Sequence, residues 1–178
     1  MRRVIATVYA TLDGYIDNPQ EWSLSYATED SGAFAFDLLR GCDALLMGRV
    51  TYEGFSQAWP SVPGEFADRI NGMPKYVVSS TLGEVGWNAT VLKGEVADEV
   101  AALKRQPGGD ILMYGTGRLT DTLMEHGLLD EYHIWVYPVI KGKGDPLFRP
   151  GTSATLTPSG TRTFSSGVVV LSYQPQVS

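Results

Sequence analysis

The chain has 178 residues, 43% of them hydrophobic, and sets 14 basic against 20 acidic residues for a net charge of −6. A chain near this length buries roughly 70% of its unfolded surface, which predicts one domain spanning 1–178. The acidic balance argues against nucleic acid or an anionic membrane as the main partner, and the single Cys42 excludes an intramolecular disulfide. With neither a secretory signal nor a run of about 18 apolar residues, the expectation is a cytoplasmic protein whose partner is a small molecule.

Taken in chain order, VIATVYATL (4–12) is rich in β-branched residues and predicts a buried strand, followed by a loop, DGYIDNP. Phe34, Leu38, Leu39 and Cys42 recur at helical spacing, with Ser31 as the expected N-cap and Gly41 near the end. ALLMG (44–48) predicts a short buried strand, TYEGFSQAW a helix, and PGEFADRINGM another with Pro63 in its first turn and Gly72 as its stop. KYVVSST (75–81) and ATVLKG (89–94) predict strands. EVADEVAALKRQ is an amphipathic helix ending before Pro107, and DILMYG (110–115) a buried strand.

Helical spacing returns in RLTDTLMEHGLL. EYHIWVYPVI then predicts a long strand and TFSSGVVVLSYQ a terminal one, with the polar block 150–160 joining them. Alternating strands and helices indicate an α/β fold with a mostly parallel sheet, and two final strands without a helix between them predict an antiparallel edge. Both faces of EYHIWVYPVI are apolar. That suits either a central strand or an exposed aromatic face that serves as a dimer interface.

Several chemistries lack their residues. The two histidines, His126 and His133, fall on different elements, so no metal site is expected. Neither a Gly-x-Ser-x-Gly elbow nor a Gly-x4-Gly-Lys-Ser/Thr loop occurs, and the first βα turn has no Gly-x-Gly-x-x-Gly. Three strand ends share a different character: LLMG-RVT, YVV-SST and LMY-GTGRL each finish in small, hydroxylated or cationic residues. Ligands of open α/β sheets gather outside such ends. Arg49 offers a guanidinium fork, Thr51 marks a helix start, and Ser79, Ser80 and Thr81 add hydroxyls. Gly115, Thr116 and Gly117 open a helix at Arg118 whose free N–H groups suit a pyrophosphate. Each feature alone also fits a solvated arginine, a polar strand end or a tight turn. Their joint placement favours a dinucleotide with an added 2′-phosphate.

LLMGRVTYE, KYVVSST and above all GTGRLTDTLMEHGLLDEYHIWVYPVIKGKGDPLF resemble the C-terminal reductase domain of the bacterial bifunctional riboflavin-biosynthesis deaminase-reductase, over approximately residues 3–173. The resemblance implies a dihydrofolate-reductase-like three-layer α/β/α fold and a homodimer. It implies NADPH held by Gly48, Arg49 and Thr51 with Ser79 and Ser80 on the 2′-phosphate side, and by Gly115, Thr116, Gly117, Arg118 and Leu119 at the pyrophosphate. It also implies a cis Gly115–Thr116 peptide. Asp13, Gly14 and Ile16 would lie on the loop beside the nicotinamide, with Asp13 or a water completing protonation. Asp13 fits a turn equally well. Trp22 and Tyr26 would wall the substrate pocket, or pack a long loop onto the core.

Dihydrofolate reductases proper hold the pterin with an acid about fifteen residues ahead of the Met matching Met47. Here that position is Gly32, and the nearby Asp30 also fits a helix cap. His-x-Glu and Pro-Cys-x-x-Cys do not occur in the sequence, so the resemblance extends only to the reductase step. The expected substrate is 5-amino-6-ribosylamino-uracil phosphate. Dihydrofolate reduction and a non-catalytic NADPH-binding protein are the competing readings.

Overall fold

The computed structural model describes residues 1–115 and 117–177. Eight strands form one sheet: β1 (Val4–Thr11), β2 (Cys42–Gly48), β3 (Lys75–Val78), β4 (Ala89–Leu92), β5 (Asp110–Tyr114), β6 (Glu131–Tyr137), β7 (Leu156–Thr163) and β8 (Val169–Pro175). Their order across the sheet is β4-β3-β2-β5-β1-β6-β8-β7. β4 through β6 run parallel, and β8 and β7 add the antiparallel edge. The helices are α1 (Pro19–Trp22), α2 (Glu29–Arg40), α3 (Arg49–Ala58), α4 (Glu65–Gly72), α5 (Val96–Arg105) and α6 (Arg118–Glu125).

β1 shows how the sequence builds three layers. Side chains alternate across a strand, so Val4, Ala6, Val8 and Ala10 enter one core with Val100 and Leu103 of α5 and Leu123 of α6. On the other face Ile5 joins Leu39 of α2, Tyr52 of α3 and Ile70 of α4. Tyr9 meets a third cluster built on Trp22, Trp135 and Tyr137. A strand buried on both faces has to be apolar throughout, as VIATVYAT nearly is.

Cys42, read with the helical spacing of Phe34, Leu38 and Leu39, instead opens β2 after α2 ends at Arg40, and four further expectations need correction. TFSSGVVVLSYQ is a turn and one strand, and the preceding LTPSGTRT is itself β7, paired to β8 across a bulge at Pro158/Gly160. The N-cap of α2 is Thr28, because Ser31 sits one turn inside and its Oγ accepts the Thr28 N–H at 3.0 Å. Pro63 lies outside α4, which begins after Gly64 at φ 109°. β3 stops at Val78, because Ser79 Oγ accepts the N–H groups of Thr81 (3.2 Å) and Leu82 (3.1 Å) and curls the chain away.

The aromatic face of β6 is covered. Trp135 and Tyr137 pack under Phe34, Trp22 and Phe164, so this strand is an ordinary central one. His133 on the same face is buried between Ser172 Oγ (2.7 Å) and Glu131 (2.9 Å), and burial lowers its pKa.

Candidate functional site

β2 and β5 are neighbours, yet the helices that follow them leave to opposite sides. α3 packs Tyr52 and Phe55 on one face of the sheet, while α6 packs Leu119 and Leu123 on the other. A crevice must open between two such diverging connections at the carboxyl ends of the strands. It does so here, as a cleft of about 690 Å³ lined by Gly48, Arg49, Val50 and Thr51 from the first strand end and Tyr114, Gly115, Arg118, Leu119 and Thr120 from the second.

The glycines make this close meeting of two helix starts feasible. Gly115 has φ 84°, and a Cβ there would stand 2.7 Å from Thr51 Oγ1. Gly117 caps α6 at φ 102°, ψ −148°, a region that side chains rarely enter. Both α3 and α6 therefore turn unsatisfied N–H groups and the positive ends of their dipoles to one cleft.

The side chains add to that field. Arg49 is half exposed, donates to Thr81 Oγ1 at 3.1 Å and stands 3.7 Å from Glu53. An exposed pair of this kind is weak, so the guanidinium is available to a ligand. Arg118 and Arg149 make no ion pair among the described residues. Thr120 is 2% exposed, and its Oγ1 is the buried side-chain oxygen left without a hydrogen-bond partner among the described residues. A buried polar group of this kind costs stability unless something else satisfies it. Val50, at 77% exposure, gives the cleft an apolar flank.

Of the residues singled out in the sequence, Gly48, Arg49, Thr51, Gly115, Arg118 and Leu119 line the cleft, and Gly117 caps α6. Thr81 joins through Arg49, Ser79 shapes the adjoining turn, and Ser80 is exposed beside it. Thr116, and with it the expected cis peptide, lies outside the described residues. Arg149, Thr120 and Val50 were not anticipated. Arg149 follows directly on the GDPLF segment, in a loop where no periodicity marks a side chain's direction.

The second group forms a separate brace. Asp13 accepts from Thr11 Oγ1 (2.7 Å), Lys141 N (3.1 Å) and Gly142 N (2.7 Å), and the Thr11 hydroxyl foremost holds its carboxyl down at about 2. It is ionised at neutral pH with no proton to give, so its visible work is that of the turn residue. Ile16 N donates to Asp145 O (2.9 Å), and Gly14 O accepts Leu147 N (2.8 Å). Trp22 Nε1 donates to Asp17 O (3.0 Å), and both Trp22 and Tyr26 stand edge-on to Tyr137. Asp30 is held by Thr28 Oγ1 and by Ser165 N (2.9 Å) and Oγ (3.1 Å), which lower its carboxyl to about 2 and tie α2 to the β7–β8 turn.

The sign of the acid effect follows from the two aspartates. Both have folded values near 2 against 3.8 unfolded, so their stabilisation is complete above about pH 4 and lost as pH falls towards 2. Melting temperature measured across that window should fall less steeply for Asp13→Asn/Asp30→Asn than for the parent. Parallel curves would show that neither carboxylate contributes.

A family model for the RibD C-terminal domain matches residues 2–170. The chain belongs to the RibD C-terminal domain family. Among relatives, the uncharacterized protein YyaP of Bacillus subtilis (strain 168) is 33% identical over 97% of this chain and 94% of its own length. The uncharacterized protein YwjB of the same strain is 27% identical over 94% and 95%.

Solved structures share the RibD C-terminal fold. A protein of Shewanella sp. PV-4 ascribed to riboflavin biosynthesis has a TM-score of 0.77 at 24% identity, covering 98% of this chain and 99% of that one. A pyrimidine reductase-like protein of Corynebacterium diphtheriae has 0.72 at 13%, covering 99% and 93%. The deaminase/5-amino-6-(5-phosphoribosylamino)uracil reductase of Thermotoga maritima has 0.69 at 14%, and there the match spans 98% of this chain but 57% of the larger protein.

Proposed function

We propose that this RibD C-terminal protein is an NADPH-dependent reductase of a small heterocyclic substrate of the 5-amino-6-(5-phosphoribosylamino)uracil type. The observation that carries the reading is the cleft itself: three arginines, two helix N-termini and a buried hydroxyl unsatisfied among the described residues converge on it in a chain whose net charge is −6. Such a site selects a multiply charged anion. Gly48, Arg49 and Thr51, with the 79–81 turn beside them, would hold the 2′-phosphate side. Gly115 to Leu119 and the Thr120 hydroxyl would take the pyrophosphate.

The cofactor, when bound, supplies the hydride. The protein's part is to orient the two reactants, an effect worth as much as about 7–11 kcal/mol. The loop 12–18, braced through Asp13, fixes the nicotinamide side. With its carboxyl held at about 2, Asp13 would have no proton to give, so the proton that completes reduction would have to come from elsewhere, such as water. Tyr9 and Tyr137 keep their hydroxyl protons at neutral pH, because burial raises both. Against a folate substrate stands Asp30, the nearest candidate for the pterin acid, whose oxygens are already engaged by Thr28, Ser31 and Ser165.

We place the protein in the cytoplasm as a homodimer with small-molecule partners, and sedimentation giving only monomer would remove the dimer. No helix among the described residues is long and apolar enough to cross a membrane. The deciding assay follows loss of reduced-nicotinamide absorbance with the ribosylamino-uracil phosphate and with dihydrofolate side by side. Turnover of the uracil compound alone is expected. Turnover of neither would overturn the reductase reading in favour of a nucleotide-binding protein.

A further inference from the structure

Residues 138–155 join β6 to β7, and the first part of this segment is laced to the 12–18 loop. Asp17 takes the Lys141 ammonium and Asp145 N (2.8 Å), Asp13 takes Gly142 N (2.7 Å), and Leu147 N donates to Gly14 O (2.8 Å). Two residues beyond that last bond is Arg149. At about 3.3–3.6 Å per residue, its Cα stays within about 7 Å of the brace.

The Arg149 guanidinium lies over the start of α6, with Nη2 2.6 Å from the place a Cβ on Gly117 would occupy. Gly117 therefore serves a second purpose besides its φ: it leaves room for this cation. Arg149 shares the cleft with Thr120, whose hydroxyl is buried and unpartnered among the described residues. An arginine with no carboxylate partner among the described residues, seated over the N-terminus of an eight-residue helix beside a hydroxyl likewise unpartnered among them, has the form of a phosphate clamp.

We propose that Arg149 is a pyrophosphate-binding residue held over the cleft by the lacing of residues 139–147 to the 12–18 loop, so that filling the phosphate cleft and placing that loop are coupled. The proposal rests on the nucleotide reading above and adds a residue and a linkage to it. Arg149 acts on the part common to both nicotinamide nucleotides, whereas Arg49 acts on the 2′-phosphate alone.

Calorimetric titration with NADPH and NADH separates the cases. Arg149→Ala should weaken both by about tenfold or more, leaving their ratio unchanged, and Arg149→Lys should recover part of the loss. Asp17→Ala, which loosens the lacing, should weaken both as well, and the double variant should lose less than the two single losses combined. Unchanged affinity in Arg149→Ala, with its melting temperature also unchanged, would overturn the clamp while leaving the nucleotide reading intact. Additive losses would overturn the coupling. Parent protein that takes up neither nucleotide would remove the reading and the clamp together.

Discussion

Arg49→Ala should weaken NADPH about 10–100-fold and leave NADH nearly unchanged, the range expected when a charge-assisted hydrogen bond of about 1.5–3 kcal/mol is lost. Gly48 hands the chain directly from β2 into α3, which puts Arg49 at the helix start and at the rim of the cleft. Its present partners, Thr81 Oγ1 at 3.1 Å and Glu53 at 3.7 Å, are exposed and easily exchanged for a phosphate. Once the arginine is gone, Glu53 stays at the rim and opposes a second negative charge. Equilibrium titration of both nucleotides against the variant reads the effect. An equal loss for both would make Arg49 a structural residue.

Gly117→Ala should destabilise the fold by about 1–3 kcal/mol, the cost of forcing a side chain into sparsely populated backbone space. At φ 102° and ψ −148° the strain does not depend on free volume. The added methyl would also stand 2.6 Å from the present position of Arg149 Nη2, so the guanidinium has to shift from its seat. The two effects are separable: urea unfolding without nucleotide reports the strain, and titration of the folded variant reports a loss shared by NADPH and NADH. A variant as stable as the parent and binding both equally well would show that neither the turn nor the seat of Arg149 matters.

What could be read from the sequence was whatever the local pattern determines. β1 and β5 are largely apolar runs because each is buried on both faces, and the mostly parallel sheet followed from the alternation of strands with amphipathic helices. The three polar strand ends stood out because Gly48 with Arg49, Ser79 with Ser80, and Gly115 interrupt apolar runs at the very points where the chain changes direction. Gly115 and Gly117 both supply positive-φ backbone, and their missing Cβ atoms leave room for the Thr51 hydroxyl and the Arg149 guanidinium.

Other features depended on packing that no short window contains. β7 reads as a loop because LTPSGTRT holds a proline and a glycine and is exposed along most of its length. An edge strand can carry both without losing its inner ladder. Asp13 and Asp30 are acids of the kind an active site uses, but backbone N–H groups from Lys141, Gly142 and Ser165, more than a hundred residues away, turn them into braces. Arg149, which lines the cleft, belongs to the same long connection that these distant bonds tie down.

Thermal unfolding with added nucleotide tests most directly whether the cleft between α3 and α6 is an NADPH site. At about 100 times its dissociation constant, NADPH should stabilise the protein by about 2.7 kcal/mol, with NADH at the same concentration giving a much smaller shift. Equal shifts for the two nucleotides would contradict the 2′-phosphate assignment, and no shift with either would contradict the site.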